Sequence, residues 1–142
     1  MVLYARDILE KDFLSLPQST SILDAAKSMK ASKHGFAIVG SPENPEGIVT
    51  EWDVVSKVVA EGKDPAKTTL GEVMTNEIFT MKASESISTV AKLMSERGVR
   101  RVVVKDGNKV VGYITAKTVL ANLEAYVDKV SAQISRLQAP WF

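Results

Sequence analysis

The 142-residue chain contains no cysteine. That absence excludes disulfides, thiolate nucleophiles, Cys-ligated zinc and iron–sulfur clusters together. Histidine occurs once, at His34. A His-pair metal site is thereby excluded, and a serine nucleophile lacks the partner it ordinarily uses. No charge of one sign dominates: 18 basic and 17 acidic residues leave a net charge of +1. This balance argues against a protein built to coat nucleic acid or an anionic membrane, although it permits a local basic patch. No apolar run approaches the ~18 residues of a membrane span. Arg6 and Asp7 interrupt the first residues, so a signal-peptide apolar core is missing there. No paired catalytic carboxylates, metal cluster or activated nucleophile can be assigned. The expectation is a soluble cytoplasmic protein that is not an enzyme and holds no resident cofactor or metal.

What the chain has is a repeat. Ser21-Ile22-Leu23-Asp24-Ala25-Ala26-Lys27-Ser28-Met29 aligns without gaps on Ser86-Ile87-Ser88-Thr89-Val90-Ala91-Lys92-Leu93-Met94, 65 positions on. The same offset relates Gly47-Ile48-Val49-Thr50 to Gly112-Tyr113-Ile114-Thr115, and Asp7-Ile8-Leu9 to Glu72-Val73-Met74. Two halves of this size are each small to stand alone and are expected to pack about a pseudo-twofold axis.

Each half reads in the same order. Short apolar-leaning runs at 13–16 and 78–81 suit strands. Ser19-Thr20-Ser21 and Ser84-Glu85-Ser86 offer cap oxygens before helical patterns. Ile22, Ala25, Ala26 and Met29 fall at i, i+3, i+4 and i+7, as do Ile87, Val90, Ala91 and Met94, giving one apolar face each. Strands are expected at 36–39 and 101–104. Asp106-Gly107-Asn108 turns the chain into a further strand at 109–114, and the Pro- and Asn-bearing loop 41–46 does so in the first half. After each Gly-h-h-Thr a second helix begins, over 51–61 and from 116 onward. The predicted unit is β-α-β-β-α and the class α/β (α+β). Residues 1–65 form the first half with its N-terminal segment, 66–125 the second, and 126–142 a helical extension and tail.

Over about residues 3–125 the paired units resemble tandem cystathionine-β-synthase (CBS) type domains, the Bateman module. Leu70-Gly71-Glu72-Val73-Met74 is similar to the family's leading segment. Gly98-Val99-Arg100-Arg101-Val102-Val103-Val104 is similar to its second strand, and Gly47-Ile48-Val49-Thr50-Glu51-Trp52-Asp53 to its Gly-h-h-Thr-x-x-Asp signature. The proline often found in the second strand is replaced by Ala37 and Val102. The resemblance implies a CBS-domain pair that binds adenosine compounds in clefts between its halves: AMP, ADP, ATP or S-adenosylmethionine. It also implies pairing of two modules into a disc-shaped homodimer.

Thr50 is expected where a strand ends and a helix starts, so its hydroxyl and the free N–H groups can face an anion. Asp53 lies one turn on, where a carboxylate can accept both hydroxyls of a ribose. An ordinary N-cap and a first-turn acid are the alternatives for the two. Arg100 and Arg101 align with Gly35 and Phe36, so their charge belongs to one copy. The resemblance carries them into the cleft of Val49, Thr50, Trp52 and Asp53, putting base for phosphate beside acid for ribose. Trp52 serves there as an adenine wall or else as a core or dimer contact. Thr80 and Lys82 share a strand face and are candidates for the same cleft. The second cleft retains Thr115 but has Thr118 in the acid's place, with His34 nearby, and is expected to be degenerate.

From 116 to about 138 apolar residues recur at three- and four-residue steps, including Leu123, Tyr126, Val127, Val130, Ile134 and Leu137. Ala139-Pro140-Trp141-Phe142 follows. This stripe is assigned to homodimer contacts. The expected function is a non-catalytic adenine-nucleotide-binding regulatory or energy-sensing module. The alternative is a ligand-independent dimeric interaction module acting on an unidentified regulated protein.

Overall fold

The same local signals build both halves of the computed structural model, which describes residues 3–136. In the first half, β1 (Leu14–Leu16) lies parallel to β2 (Phe36–Gly40), and β3 (Pro45–Thr50) lies antiparallel to β2. In the second half, β4 (Thr80–Lys82), β5 (Arg101–Asp106) and β6 (Lys109–Thr115) repeat that sheet. The ladders correspond residue for residue: Ser15 opposes Ile38, and Thr80 opposes Val103. The architecture is thus α+β, with two three-stranded sheets.

Between the first two strands of each half runs an 11-residue helix, α2 (Ile22–Ser32) and α5 (Ile87–Arg97). Ser21 caps α2 by accepting the Asp24 N–H at 3.1 Å, and Ser86 caps α5 by accepting the Thr89 N–H at 3.3 Å. Both helices end on a left-handed residue, Lys33 (φ 60°) and Gly98 (φ 63°). Ile22, Ala25 and Met29 bury one face against Ala37, Val39 and Val49, while Ile87, Val90 and Met94 meet Val102, Val104 and Ile114. A third cluster of Phe36, Ile38, Val103, Val110 and Tyr113 joins the two sheets.

The leading segments do not stay with the halves in which the sequence reading placed them. Helix α1 (Ala5–Ile8) packs on the second core, with the Ala5 N–H donating to the Glu85 carbonyl at 2.7 Å and the Glu10 N–H to Tyr113 at 2.8 Å. Helix α4 (Leu70–Val73) packs on the first core, with the Leu70 N–H donating to Thr20 at 2.9 Å and the Ile48 N–H to Thr75 at 3.0 Å. This exchange crosses the 65/66 boundary twice, because each core is closed by an apolar pair from the other half.

The helix expected at 51–61 begins as one turn, α3 (Glu51–Asp53), and continues as a π-helix over Val54–Val59. The Ala60 N–H reaches the Val55 carbonyl at 2.9 Å. Four of its six residues are valines, whose stiff side chains lower the preference for an α-helix. Helix α6 (Ala116–Ser135) leaves β6 and buries Val119 in the second core. Leu120, Leu123, Val127 and Ile134 on it remain exposed. Leu137 and the Ala139–Phe142 tail lie outside the described residues.

Candidate functional site

Thr50 ends β3 in extended conformation and its chain then turns directly into α3. Its Oγ1 accepts the Asp53 N–H at 3.4 Å, while Asp53 Oδ2 accepts the Thr50 N–H at 2.8 Å and the Thr50 hydroxyl at 3.2 Å. The two residues therefore form a reciprocal capping box. Asp53 is only 8% exposed, and its Oδ1 pairs with Lys57 Nζ at 3.0 Å. Lys57 Nζ also donates to the Val73 carbonyl at 3.0 Å, which ties the acid to α4. The cap alternative thus holds, and a carboxylate with about four lone-pair sites retains acceptor capacity beyond these bonds.

A cavity of about 800 Å³ opens beside this box, within the range of small-molecule sites. Thr50, Trp52 and Asp53 line it from the first half, and Arg100 and Arg101 from the second. The Arg101 guanidinium lies 4.9 Å from the centroid of the Phe36 ring. Its Nη2 and Glu51 Oε1 converge beside Gly35, at 3.1 and 3.0 Å from where a Cβ would stand. Glycine there leaves room for both side chains. Arg100 is exposed where Arg101 is half-buried, as alternation along a strand start requires. Trp52 is 69% exposed and lies at the cavity rim.

Three expected site residues lie elsewhere. Val49 is fully buried in the first core, because its neighbours Ile48 and Thr50 take the cleft face of β3. Thr80 sits in the β4 ladder opposite Val103 and is not among the cavity's walls. Lys82 stands two residues further along β4 and lines a different cavity. The wall they were expected to form comes instead from Thr75, Glu77 and Phe79, alternate residues of the segment that leads into β4. Their period-two spacing was the available signal. Glu51 and Glu77 add acid to the cleft, opposite Arg100, Arg101 and Lys117.

The residues expected in the second cleft bond to one another and to Glu10, and Thr115 also lines the first cavity. Thr115 caps α6 by accepting the Thr118 N–H at 3.1 Å, and the two hydroxyls lie 2.9 Å apart. The Thr118 hydroxyl donates to Glu10 Oε1 at 3.0 Å, and the Tyr113 hydroxyl to Glu10 Oε2 at 3.1 Å. His34 Nδ1 is 3.5 Å from the Tyr113 hydroxyl, and His34 Nε2 is 3.5 Å from Asp12 without hydrogen-bond geometry. Burial raises the Tyr113 pKa, with its bond to Glu10 and the Glu10 charge adding to the shift. Among the described residues no group of three or more His, Cys, Asp or Glu is placed to hold a metal. No helix among them is long and apolar enough to cross a membrane.

Residues 5–60 and 70–125 each match the family described as the CBS domain. The chain belongs to the CBS-domain family. It is 31% identical over 120 residues to hypoxic response protein 1 of Mycobacterium tuberculosis, covering 84% of each chain. A hexameric CBS-CP12 protein from bloom-forming cyanobacteria shares 33% identity at a TM-score of 0.75, over 84% of this chain and 67% of that one. The CBS domain pair of protein MJ0100, in complex with 5′-methylthioadenosine and S-adenosyl-L-methionine, shares 26% identity at a TM-score of 0.75. That match covers 89% of this chain and 99% of the other. CBS pairs are regulatory modules, and two CBS domains account for both halves of this chain.

Proposed function

We propose that this CBS pair is a non-catalytic regulatory module that binds an adenine nucleotide, AMP foremost and ADP or ATP as alternatives. The ligand occupies the cleft of Thr50, Asp53 and Arg101. The observation that carries the reading is the meeting, in one cavity of about 800 Å³, of a buried acid from the first half and an arginine pair from the second. Asp53 accepts the ribose hydroxyls, and Arg100 and Arg101 take the phosphate through their fixed forks of donors. Trp52, at the rim, offers a face to adenine. A relative that binds adenosine compounds in its CBS pair supports this class of ligand. The arginines favour a phosphate over the sulfonium cation of S-adenosylmethionine. A module reading adenine nucleotides works in the cytoplasm, where they are abundant.

A thermal-shift panel of AMP, ADP, ATP, NADH and S-adenosylmethionine tests the reading, because a ligand of the folded state alone raises its stability. Calorimetry then ranks the ligands. Tighter binding of S-adenosylmethionine than of any nucleotide refutes the assignment. A homodimer belongs to the same proposal. Val55 and Val59 after α3, with Leu120, Leu123 and Val127 on α6, are exposed apolar residues that a second copy would cover. The same surface favours the second reading, an interaction module that acts on a partner protein whatever its cleft holds. That reading prevails when no ligand of the panel shifts the melting temperature.

A further inference from the structure

A second cavity, of about 850 Å³, lies at the turn end of the second sheet, away from the Thr50–Asp53 cleft. Arg6, Lys11, Lys82, Lys105 and Lys109 line it, against the two acids Glu43 and Asp106. We propose that this cavity binds a small molecule carrying two or more phosphate groups.

Four observations support the assignment. First, the concentration of charge is local: five cations surround one cavity in a chain whose net charge is +1. Second, these charges are poorly compensated. Lys109 approaches Glu43 only at 3.9 Å, and Lys11, Lys82 and Lys105 make no ion pair among the described residues. Lys82 and Lys105 stand directly opposite each other in the β4–β5 register, an arrangement of like charges that disfavours the sheet. A bound anion would reverse that repulsion. Third, the fold does not require the charges. The positions related by the 65-residue repeat are Gly71, Asn76, Pro17, Gly40 and Asn44, all neutral. Fourth, the cavity is separate from both CBS clefts. Leu9, Lys11, Phe13 and Ser15 line it, whereas the intervening Glu10 is bonded to Tyr113 and Thr118 in the second cleft. Alternation along the extended segment turns the two sets to opposite sides.

The number of cations selects a polyphosphate over a single carboxylate or phosphate, since one such group leaves most of them unmatched. Lysine ammonium groups bind phosphate as point charges and impose no bidentate geometry. Phe13, Val110 and Val111 supply an apolar wall for the organic part of such a molecule.

The test uses the full chain and inorganic tripolyphosphate as probe, titrated by calorimetry with AMP run in parallel. The double variant Lys82→Ala/Lys105→Ala is expected to weaken tripolyphosphate by about tenfold or more, while its AMP affinity stays that of the parent and its circular-dichroism melting temperature does not fall. Arg101→Ala is expected to show the reverse. Lys11→Gln, at an exposed position, repeats the test should the double variant fail to fold, and is expected to weaken tripolyphosphate alone. The proposal is overturned if the parent shows no saturable tripolyphosphate binding. It is also overturned if Arg101→Ala abolishes that binding while the lysine variants retain it, or if poly-glutamate or an RNA oligomer binds more tightly than tripolyphosphate. A parent that binds tripolyphosphate but no AMP refutes the nucleotide reading and leaves this site standing.

Discussion

Substitution of Asp53 separates the capping-box bonds it makes from the ribose-binding role proposed for it. Its carboxylate takes two bonds from Thr50 and pairs with Lys57. Asp53→Ala removes the returning half of the capping box and leaves the Thr50 cap bond in place, which costs about 1 kcal/mol of stability. It also removes the charged acceptor for the ribose hydroxyls, weakening AMP by about 2–3 kcal/mol, or roughly 30- to 150-fold. Asp53→Asn is the sharper experiment. Its amide oxygen can still accept the Thr50 N–H, and Lys57 still donates to the Val73 carbonyl. The lost Lys57 pair is a partly exposed i,i+4 contact worth about 0.3–0.5 kcal/mol, so stability should move by less than about 1 kcal/mol. AMP affinity should nevertheless fall by about tenfold, since a neutral amide replaces a charged acceptor. Urea denaturation gives the first quantity and calorimetry the second. An Asp53→Asn protein that binds AMP as the parent does refutes the ribose role and leaves Asp53 a cap alone. Thr118→Ala, in the second cleft, should leave AMP binding unchanged. Equal losses in the Asp53 and Thr118 variants would refute the asymmetry of the clefts.

Three further outcomes follow from the same geometry. The parent should scatter light as a dimer at micromolar concentration, and Val59→Glu/Leu120→Glu should make it monomeric; a monomeric parent refutes the dimer. Gly98→Ala should lower stability by about 1 kcal/mol in urea. A Cβ there meets nothing within 4 Å, so the left-handed backbone (φ 63°) is the only cost, and Lys33→Gly at the matching cap should raise stability by a few tenths of a kcal/mol. Because folding raises the Tyr113 pKa above 10.0, its contribution is complete below pH 10 and is lost as pH rises through the higher folded value. Urea midpoints measured below and above pH 10 should therefore fall less with pH in Tyr113→Phe than in the parent.

Signals confined to a few neighbouring residues are legible in the sequence. The caps at Ser21 and Ser86, the apolar faces of α2 and α5 and the turn at Gly107 each depend on a handful of positions, and each formed as read. Thr50 and Asp53 were legible for the same reason, since their partnership spans three residues. The exchange of α1 and α4 was not. A repeat gives the order of segments but not their partners, and Ile8 or Val73 suits either aliphatic core. Parity misled at Val49. The signature names a stretch, whereas the strand turns alternate residues away from the cleft. The π-winding of Val54–Val59 escaped because its apolar spacing also fits an α-helix.

The difference between the clefts arises from coupled changes. Where Asp53 closes the first box from within its own helix, Thr118 has no carboxylate to return. Glu10 supplies one from the leading segment, at the position that Thr75 holds in the other repeat. That carboxylate accepts Thr118 and Tyr113 together, while the backbone of Glu10 exchanges bonds with Tyr113 at 2.8 and 3.0 Å. The groups that would receive a ligand thus fasten the exchanged N-terminal segment to the second core. Opening this cleft means breaking charge-assisted hydrogen bonds worth about 1.5–3 kcal/mol each, whereas Asp53, Arg100 and Arg101 line a cavity of about 800 Å³. The nucleotide reading therefore carries a stoichiometry of one AMP per chain, and two sites per chain in calorimetry would show that Glu10 gives way.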